Sequence, residues 1–148
     1  MKRSLKIISL VLCLAIVMAV PVNAQANAET RGSMFFSSTC TYISQTSPTS
    51  FEVWFDVNAN AATMDEIGAE KIEVYRSFDG ESWMLVKVYE PEEYPQLLDY
   101  DTGCHAGHVT YTNGAPGWYY CACVTYYAEN SVGIGKCYEY TQIQYMYY

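Results

Sequence analysis

The chain has 148 residues, of which 51% are hydrophobic and 16% charged, and its formal net charge is −8 with a pI near 4.6. This length suits one ordinary domain with a core of its own, and the apolar fraction excludes an intrinsically disordered protein. The acidic balance argues against nucleic acid or an anionic membrane surface as a partner.

The N-terminus has the three parts of a secretory signal. Three cations precede an apolar run over residues 7–20, and small residues follow at two cleavage positions, Ala24 and Ala28. The apolar run is shorter than the roughly 18–20 residues that a membrane-spanning helix needs. We therefore predict that residues 1–28 are a cleaved signal peptide, that the mature protein is secreted, and that it does not insert into a membrane.

Removal of this signal makes the protein more acidic. Residues 29–148, which we predict to be a single domain, keep five cations against sixteen acidic residues, for a formal charge of −11. Thirteen of the acids lie between Glu52 and Asp101. This concentration is typical of a solvated surface that keeps a secreted domain soluble, and the alternative is a site for calcium or a cationic ligand.

The mature chain alternates apolar and polar residues with a period of two, which is the pattern of a half-buried strand. The alternation and the intervening turn residues predict about seven strands: residues 35–43, 50–58, 71–77, 83–89, 108–112, 118–128 and 136–143. Residues 59–68 are predicted to form a short turn at most, and residues 129–135 a hairpin loop. We predict an all-β antiparallel β-sandwich, with a β-barrel as the nearest alternative. The predicted core residues are Phe51, Val53, Phe55, Val57, Ile72, Val74, Tyr120 and Val124.

Several short motifs resemble those of a fibronectin type III domain, which is an immunoglobulin-like β-sandwich. They are Pro116-Gly117-x-x-Tyr120, Ala128-x-Asn130-x-x-Gly133, and Ile72-x-Val74 followed by Asp79-Gly80-x-x-Trp83. The resemblance implies that Tyr120 is the corner tyrosine, whose hydroxyl bonds to backbone upstream. The mature chain also resembles small secreted proteins of Gram-positive bacteria that carry one such sandwich and have no established activity.

Five cysteines remain after signal cleavage, so at least one thiol is free or bonded to another chain. Cys121 and Cys123 share one strand face, where their Cα atoms lie roughly 6.5–7 Å apart with parallel side chains, a poor geometry for a disulfide. In a sandwich of the fibronectin type, Cys104 and Cys137 lie near the same end. The resemblance therefore implies a disulfide between these two.

The segment from Asp99 to His108 is the one part of the chain with a composition typical of a metal site. Cys104, His105 and His108 are zinc-ligand types, but their spacing matches no closed structural site, so we predict no bound metal. Cys104 and His105 are adjacent, and adjacent side chains on a strand point to opposite faces, which opposes a thiol nucleophile with a histidine base. We therefore expect no catalytic activity and no cofactor.

The chain has fifteen tyrosines against five phenylalanines, a ratio that favours strands and half-wet surfaces. Tyrosine and tryptophan give large contact area at low entropic cost, which favours a binding surface, and the alternative is that scattered exposed rings on tyrosine-rich strands need no ligand. Four aromatic side chains fall out of phase with the apolar sets of their strands and are the candidate binding residues: Trp54, Tyr75, Tyr119 and Tyr127. We predict a binding or adhesion module for a glycan or a cell-surface protein. The alternative is a structural or spacer component of the cell surface or extracellular matrix, self-associating through the tyrosine-rich tail over residues 138–148, which is either an added strand or an exposed adhesive segment.

Overall fold

A computed structural model of the protein describes residues 34–148. The signal peptide and both cleavage positions lie outside these residues, so they stay predictions. Within residues 34–148 there is no helix long and apolar enough to cross a membrane.

The described chain consists of antiparallel strands and one turn of 3-10 helix, Pro95–Leu97. The strands are β1 (Phe36–Ser47), β2 (Ser50–Ala59), β3 (Met64–Ser77), β4 (Met84–Tyr89), β5 (Leu98–Thr102), β6 (Cys104–Tyr111), β7 (Tyr119–Asn130), β8 (Gly133–Tyr140) and β9 (Gln144–Tyr145). One sheet has the order β1-β2-β6 and the other β4-β3-β7-β8, with β5 added beside β3 and β9 added beside β7. The fold is therefore an all-β sandwich, as the alternation predicted.

The core lies between the two sheets and contains all eight residues that the sequence predicted for it. Tyr120 is fully buried, and its ring lies 5.0 Å from that of Phe51. Its hydroxyl accepts a hydrogen bond of 3.0 Å from the main-chain N–H of Ala115, five residues upstream. The bond that the resemblance implied for this tyrosine is thus present.

Strand β3 is longer than predicted, because residues 64–68 are strand rather than a turn. The register shifts between Ala69 and Lys71, which leaves Glu70 as an extra residue in a β-bulge. The bulge breaks the alternation in this segment, so the period-two pattern becomes visible only after it. Strand β5 was not predicted either, since its residues include Asp99 and Asp101 and it is held by pairing with β3 rather than by its own propensity.

The predicted loop over residues 129–135 is much shorter in the structure. Asn130 pairs with Gly133, so the connection between β7 and β8 has only two residues. The Asn130 side chain accepts a hydrogen bond from the main-chain N–H of Val132 and closes the turn. Strand β8 consequently begins three residues earlier than the sequence indicated.

The tyrosine-rich tail is an added strand. Strand β9 pairs with β7 through Tyr119 and Tyr120, and Met146 is fully buried. The Gln45 side chain bonds both main-chain groups of Tyr147, which ties the end of the tail to β1.

The predicted disulfide between Cys104 and Cys137 is not formed. Cys104 is exposed on β6, whereas Cys137 is half-buried on β8, and all five cysteines of the described chain are free thiols. Strand β6 is the edge of the three-stranded sheet away from β1, and β8 packs under β1. The prediction was wrong because the two cysteines belong to opposite edges of the sandwich.

Candidate functional site

The four aromatic candidates lie outside the core, but on two different surfaces. Trp54 is on the outer face of the three-stranded sheet, and Tyr75, Tyr119 and Tyr127 are on the outer face of the other sheet. The outer faces of a sandwich point in opposite directions. These four side chains therefore do not form one binding surface.

Trp54 is engaged by its own sheet. Its ring stacks on that of His108 at 4.3 Å between centroids, and the ring of Tyr42 lies parallel to it at 6.0 Å. Its indole N–H donates a 3.0 Å hydrogen bond to Glu52. These contacts join β1, β2 and β6 across the outer face of their sheet.

Tyr75 and Tyr119 are also covered by neighbouring side chains. Tyr119 packs against Tyr145 of the added strand, with 4.9 Å between ring centroids. Tyr75 is half-buried, and burial together with the charge of Glu73 raises the pKa of its hydroxyl. Tyr127, by contrast, lines a concave surface.

That surface is an open groove of about 660 Å³ on the outer face of the six-stranded sheet, next to the connection between β4 and β5. It is lined by Glu66, Glu70, Lys71, Glu90, Pro91, Glu92, Leu98, Tyr100 and Tyr127. Strand β3 supplies the floor, and the segment 90–92 with β5 supplies one wall. Tyr127, from β7, stands on the other side. We call this surface the acidic groove.

Two local features give the acidic groove its shape. Gly68 lies between Leu98 of β5 and Tyr127 of β7, and a Cβ atom there would meet the carbonyl oxygen of Leu97 at 2.1 Å. A residue without a side chain is therefore required for the main chains to approach so closely. Beyond it, the bulge at Glu70 lets both Glu70 and Lys71 line the groove.

The carboxylates of the acidic groove exceed its cations. Lys71 is paired with Glu73 at 3.2 Å, and Lys136, beside the groove, is bonded to Glu70. No lysine, arginine or histidine of residues 34–148 lies within 4.0 Å of the carboxylates of Glu66, Glu90 and Glu92. The groove therefore has unbalanced negative charge.

The two tyrosines of the groove respond to this charge. A hydrogen bond to Glu66 and the charge of that residue raise the pKa of Tyr100, whose side chain is largely exposed. Partial burial, a hydrogen bond to Glu129 and the nearby carboxylates raise the pKa of Tyr127. Both phenols therefore stay protonated, and their rings stand beside carboxylates in a concave site.

The segment that the sequence singled out for metal ligands is divided by the strand geometry. His105 points toward the core side of β6, where its ring bonds the carbonyl of Gln96 at 2.9 Å and lies 3.7 Å from Asp99. His108 is on the opposite, outer face. In residues 34–148, no three His, Cys, Asp or Glu side chains come close enough to hold a metal ion.

The thiols of the second sheet are poorly suited to nucleophilic chemistry. Burial raises the pKa of Cys121 and of Cys137 to about 11, and it also raises that of Cys123. A thiol with such a pKa is almost entirely protonated at neutral pH, and the thiolate is the reactive form.

Tyr127 is the one residue lining the acidic groove that the sequence indicated as a binding candidate, and the residues around it were not indicated. The concentration of acids between Glu52 and Asp101 was the available signal. It did not indicate which acids converge, because that depends on the bulge at Glu70 and on the path between β4 and β5. No protein-family model and no curated protein matches this chain.

Proposed function

We propose that the protein is a secreted, non-catalytic binding module and that its acidic groove takes a positively charged segment of a cell-surface protein. The observation that carries the proposal is the groove itself, in which the carboxylates of Glu66, Glu90 and Glu92 have no cation of residues 34–148 within 4.0 Å and Tyr100 and Tyr127 are among the lining residues. Ligand sites are concave and combine aromatic side chains with convergent polar groups, and the excess of carboxylates in this groove suits a cationic ligand.

The chemistry of the groove favours lysine and arginine side chains. Carboxylates accept charge-assisted hydrogen bonds from ammonium and guanidinium groups, and the faces of Tyr100 and Tyr127 attract cations. The Tyr127 ring already has the ammonium of Lys136 at 5.3 Å from its centroid. The net negative charge of the domain would steer a basic partner toward it.

The scaffold supports the same proposal. Tyr120 with its bond to Ala115 and the two-sheet architecture support the fibronectin-like assignment. Sandwiches of that architecture occur in many extracellular proteins, where binding depends on the surface rather than on the fold. The raised thiol pKa values and the separation of the two histidines support a module without catalysis.

The test is binding of a fluorescent peptide of alternating lysine and arginine, measured by anisotropy. The double variant Glu66→Gln, Glu90→Gln removes two unpaired groove charges without changing side-chain size. We expect the dissociation constant to rise about tenfold or more, since one charge-assisted hydrogen bond contributes about 1.5 kcal/mol or more. Tyr127→Phe keeps the ring and should change the affinity much less.

A matched control removes the same charge elsewhere. Asp56→Asn with Glu81→Gln changes two exposed carboxylates outside the groove and should alter the affinity less than twofold at physiological salt, where surface charges are screened beyond about 8 Å. Equal weakening by both double variants would contradict the proposal. Binding of neutral glycans on an array, insensitive to the groove variant, would replace the basic segment with a sugar ligand.

A further inference from the structure

The sheet edges formed by β1, by β6 and by β4 with β5 are protected against pairing with another strand in different ways, whereas the edge formed by β8 is open. An open strand edge presents unpaired main-chain groups that can pair with another strand. Strand β1 is capped by side chains, since the Tyr126 hydroxyl donates to the carbonyl of Cys40 and the Gln142 amide donates to that of Ile43. On β6, the carbonyl of Thr110 accepts a hydrogen bond from the hydroxyl of Tyr89.

The edge beside β3 is protected by irregularity and charge. Strand β4 has only six residues, contains a register shift opposite Val74 and Tyr75, and carries Lys87. Strand β5 has five residues and includes Asp99 and Asp101. Short strands, bulges and charges are the common devices against edge pairing.

Strand β8 is neither short nor irregular, and its one acidic residue, Glu139, is half-buried on the inner side of the strand. It has eight residues in unbroken register with β7, and no side chain of residues 34–148 is seen to donate to its carbonyls. Its single lysine does not guard the edge, because the Lys136 ammonium reaches back across Tyr127 to Glu70 on β3. Ile134, Tyr138 and Tyr140 are 55%, 56% and 53% exposed.

The pairing pattern identifies the main-chain groups at this edge. In a two-residue hairpin, the residues that flank the loop, here Asn130 and Gly133, exchange main-chain hydrogen bonds. The odd-numbered residues of β8 therefore direct their main-chain N–H and carbonyl groups toward β7. The hydrogen bond from the main-chain N–H of Thr141 to the carbonyl of Ala122 agrees with this pattern. The even-numbered residues from Ile134 to Tyr140 direct their N–H and carbonyl groups to the open edge.

We propose that β8 is a self-association edge and that it pairs, antiparallel, with β8 of a second copy of this chain. A two-fold axis beside Cys137 places Ile134 opposite Tyr140 and Lys136 opposite Tyr138, so all four outward residues of each copy are used. The aliphatic–aromatic pairs favour this register. A shift of this register by two residues in one direction places the Lys136 side chains of the two copies opposite each other. A shift by two residues in the other direction leaves Ile134 without a partner on the second copy.

Charge also favours a second copy as the occupant. Between residues 102 and 148 the charged side chains are Glu129, Lys136 and Glu139 alone, whereas thirteen acids lie between Glu52 and Asp101. Pairing through β8 thus joins the least charged parts of two strongly acidic molecules. The chain's own residues 25–33 are an inferior occupant, because they are polar and lack aromatic and β-branched residues apart from one threonine.

The first test is sedimentation velocity of the full expressed protein over a range from low to high micromolar concentration. A monomer–dimer equilibrium is expected. Tyr138→Pro removes an edge N–H that β7 does not use, and it should weaken dimerisation about tenfold or more, which is 1.4 kcal/mol. Tyr138→Lys brings a lysine opposite Lys136 in both halves and should weaken dimerisation similarly, which keeps the test valid if the proline variant misfolds.

The control and the register test complete the experiment. Leu85→Lys makes the same kind of change at an exposed position on β4, the opposite edge of the sheet, and should leave dimerisation unchanged. A photo-crosslinking residue in place of Tyr140 should label Ile134 of the other copy. A protein that stays monomeric at every concentration, a dimer indifferent to Tyr138→Pro and Tyr138→Lys, or crosslinks within one chain to residues 25–33 would overturn the proposal.

Discussion

Replacing Gly68 with alanine tests whether the approach of β5 to β3 determines the shape of the acidic groove. The added Cβ would lie 2.1 Å from the carbonyl oxygen of Leu97 and 3.0 Å from the Cα of Leu98. Both are main-chain atoms, so they cannot move aside as the end of a flexible side chain can. The main chain of Gly68 also has a φ of 153°, in the region that favours glycine.

The expected magnitude combines these two effects. An unfavourable φ costs about 1–3 kcal/mol, and overpacking of this kind costs about 1–3 kcal/mol more. We therefore expect Gly68→Ala to lower the free energy of unfolding by about 3–5 kcal/mol, a large part of the roughly 5–15 kcal/mol of a typical domain. Because β5 must move, binding of the basic peptide should also weaken.

Gly117→Ala separates steric overlap from backbone strain. Gly117 also has a positive φ, 85°, but nothing lies within 4 Å of the added Cβ. This variant should lose only about 1–2 kcal/mol, the cost of a left-handed backbone for alanine. Urea unfolding followed by tryptophan fluorescence measures both variants. If Gly68→Ala is no more destabilising than Gly117→Ala, the steric account of the groove is wrong.

Three further outcomes are expected. The Asp79 carboxylate accepts hydrogen bonds from two main-chain N–H groups and a serine hydroxyl, which lower its pKa below the usual 3.8 of an aspartate. The loss of stability in Asp79→Asn should therefore be full above pH 3.8 and should vanish as the pH falls through the lowered pKa of the folded state, as measured by thermal unfolding across acid pH. Tyr120→Phe leaves the N–H of Ala115 without its partner and should cost about 1–3 kcal/mol in urea unfolding, whereas no loss would show that water replaces the bond. Thiol titration of the unreduced protein should find five thiols per mature chain after denaturation, and fewer than five would reveal a disulfide. Before denaturation, Cys121 and Cys137 should react slowly because burial raises their pKa to about 11.

The strands of the core could be predicted because their environment repeats along the chain. Residues such as Val53 and Val74 alternate with polar residues, and a strand between a core and solvent imposes that period of two. The hydrogen bond of Tyr120 was implied by the resemblance to fibronectin type III domains, and the motif that carries this resemblance is short because the bond reaches only five residues upstream. Both features depend on residues that are close together in the sequence, so a short sequence pattern can indicate them.

The acidic groove could not be predicted, since its residues come from distant segments. Glu66, Glu90 and Tyr127 meet only because the main chain bulges at Glu70 and because the segment after β4 returns to pair β5 with β3. Neither feature has a periodic signal.

By itself the sequence determined the sandwich, its core and the outward direction of Trp54 and Tyr127, because alternation assigns each side chain to one face of its strand. Only the tertiary structure decided what each outward side chain contacts. It gave Trp54 two ring neighbours in its own sheet, placed Tyr127 in a groove, and put Cys104 and Cys137 at opposite edges. The physical reason is that the face on which a side chain lies depends on its own strand alone, whereas the neighbours of that side chain depend on which strands pair and in which register.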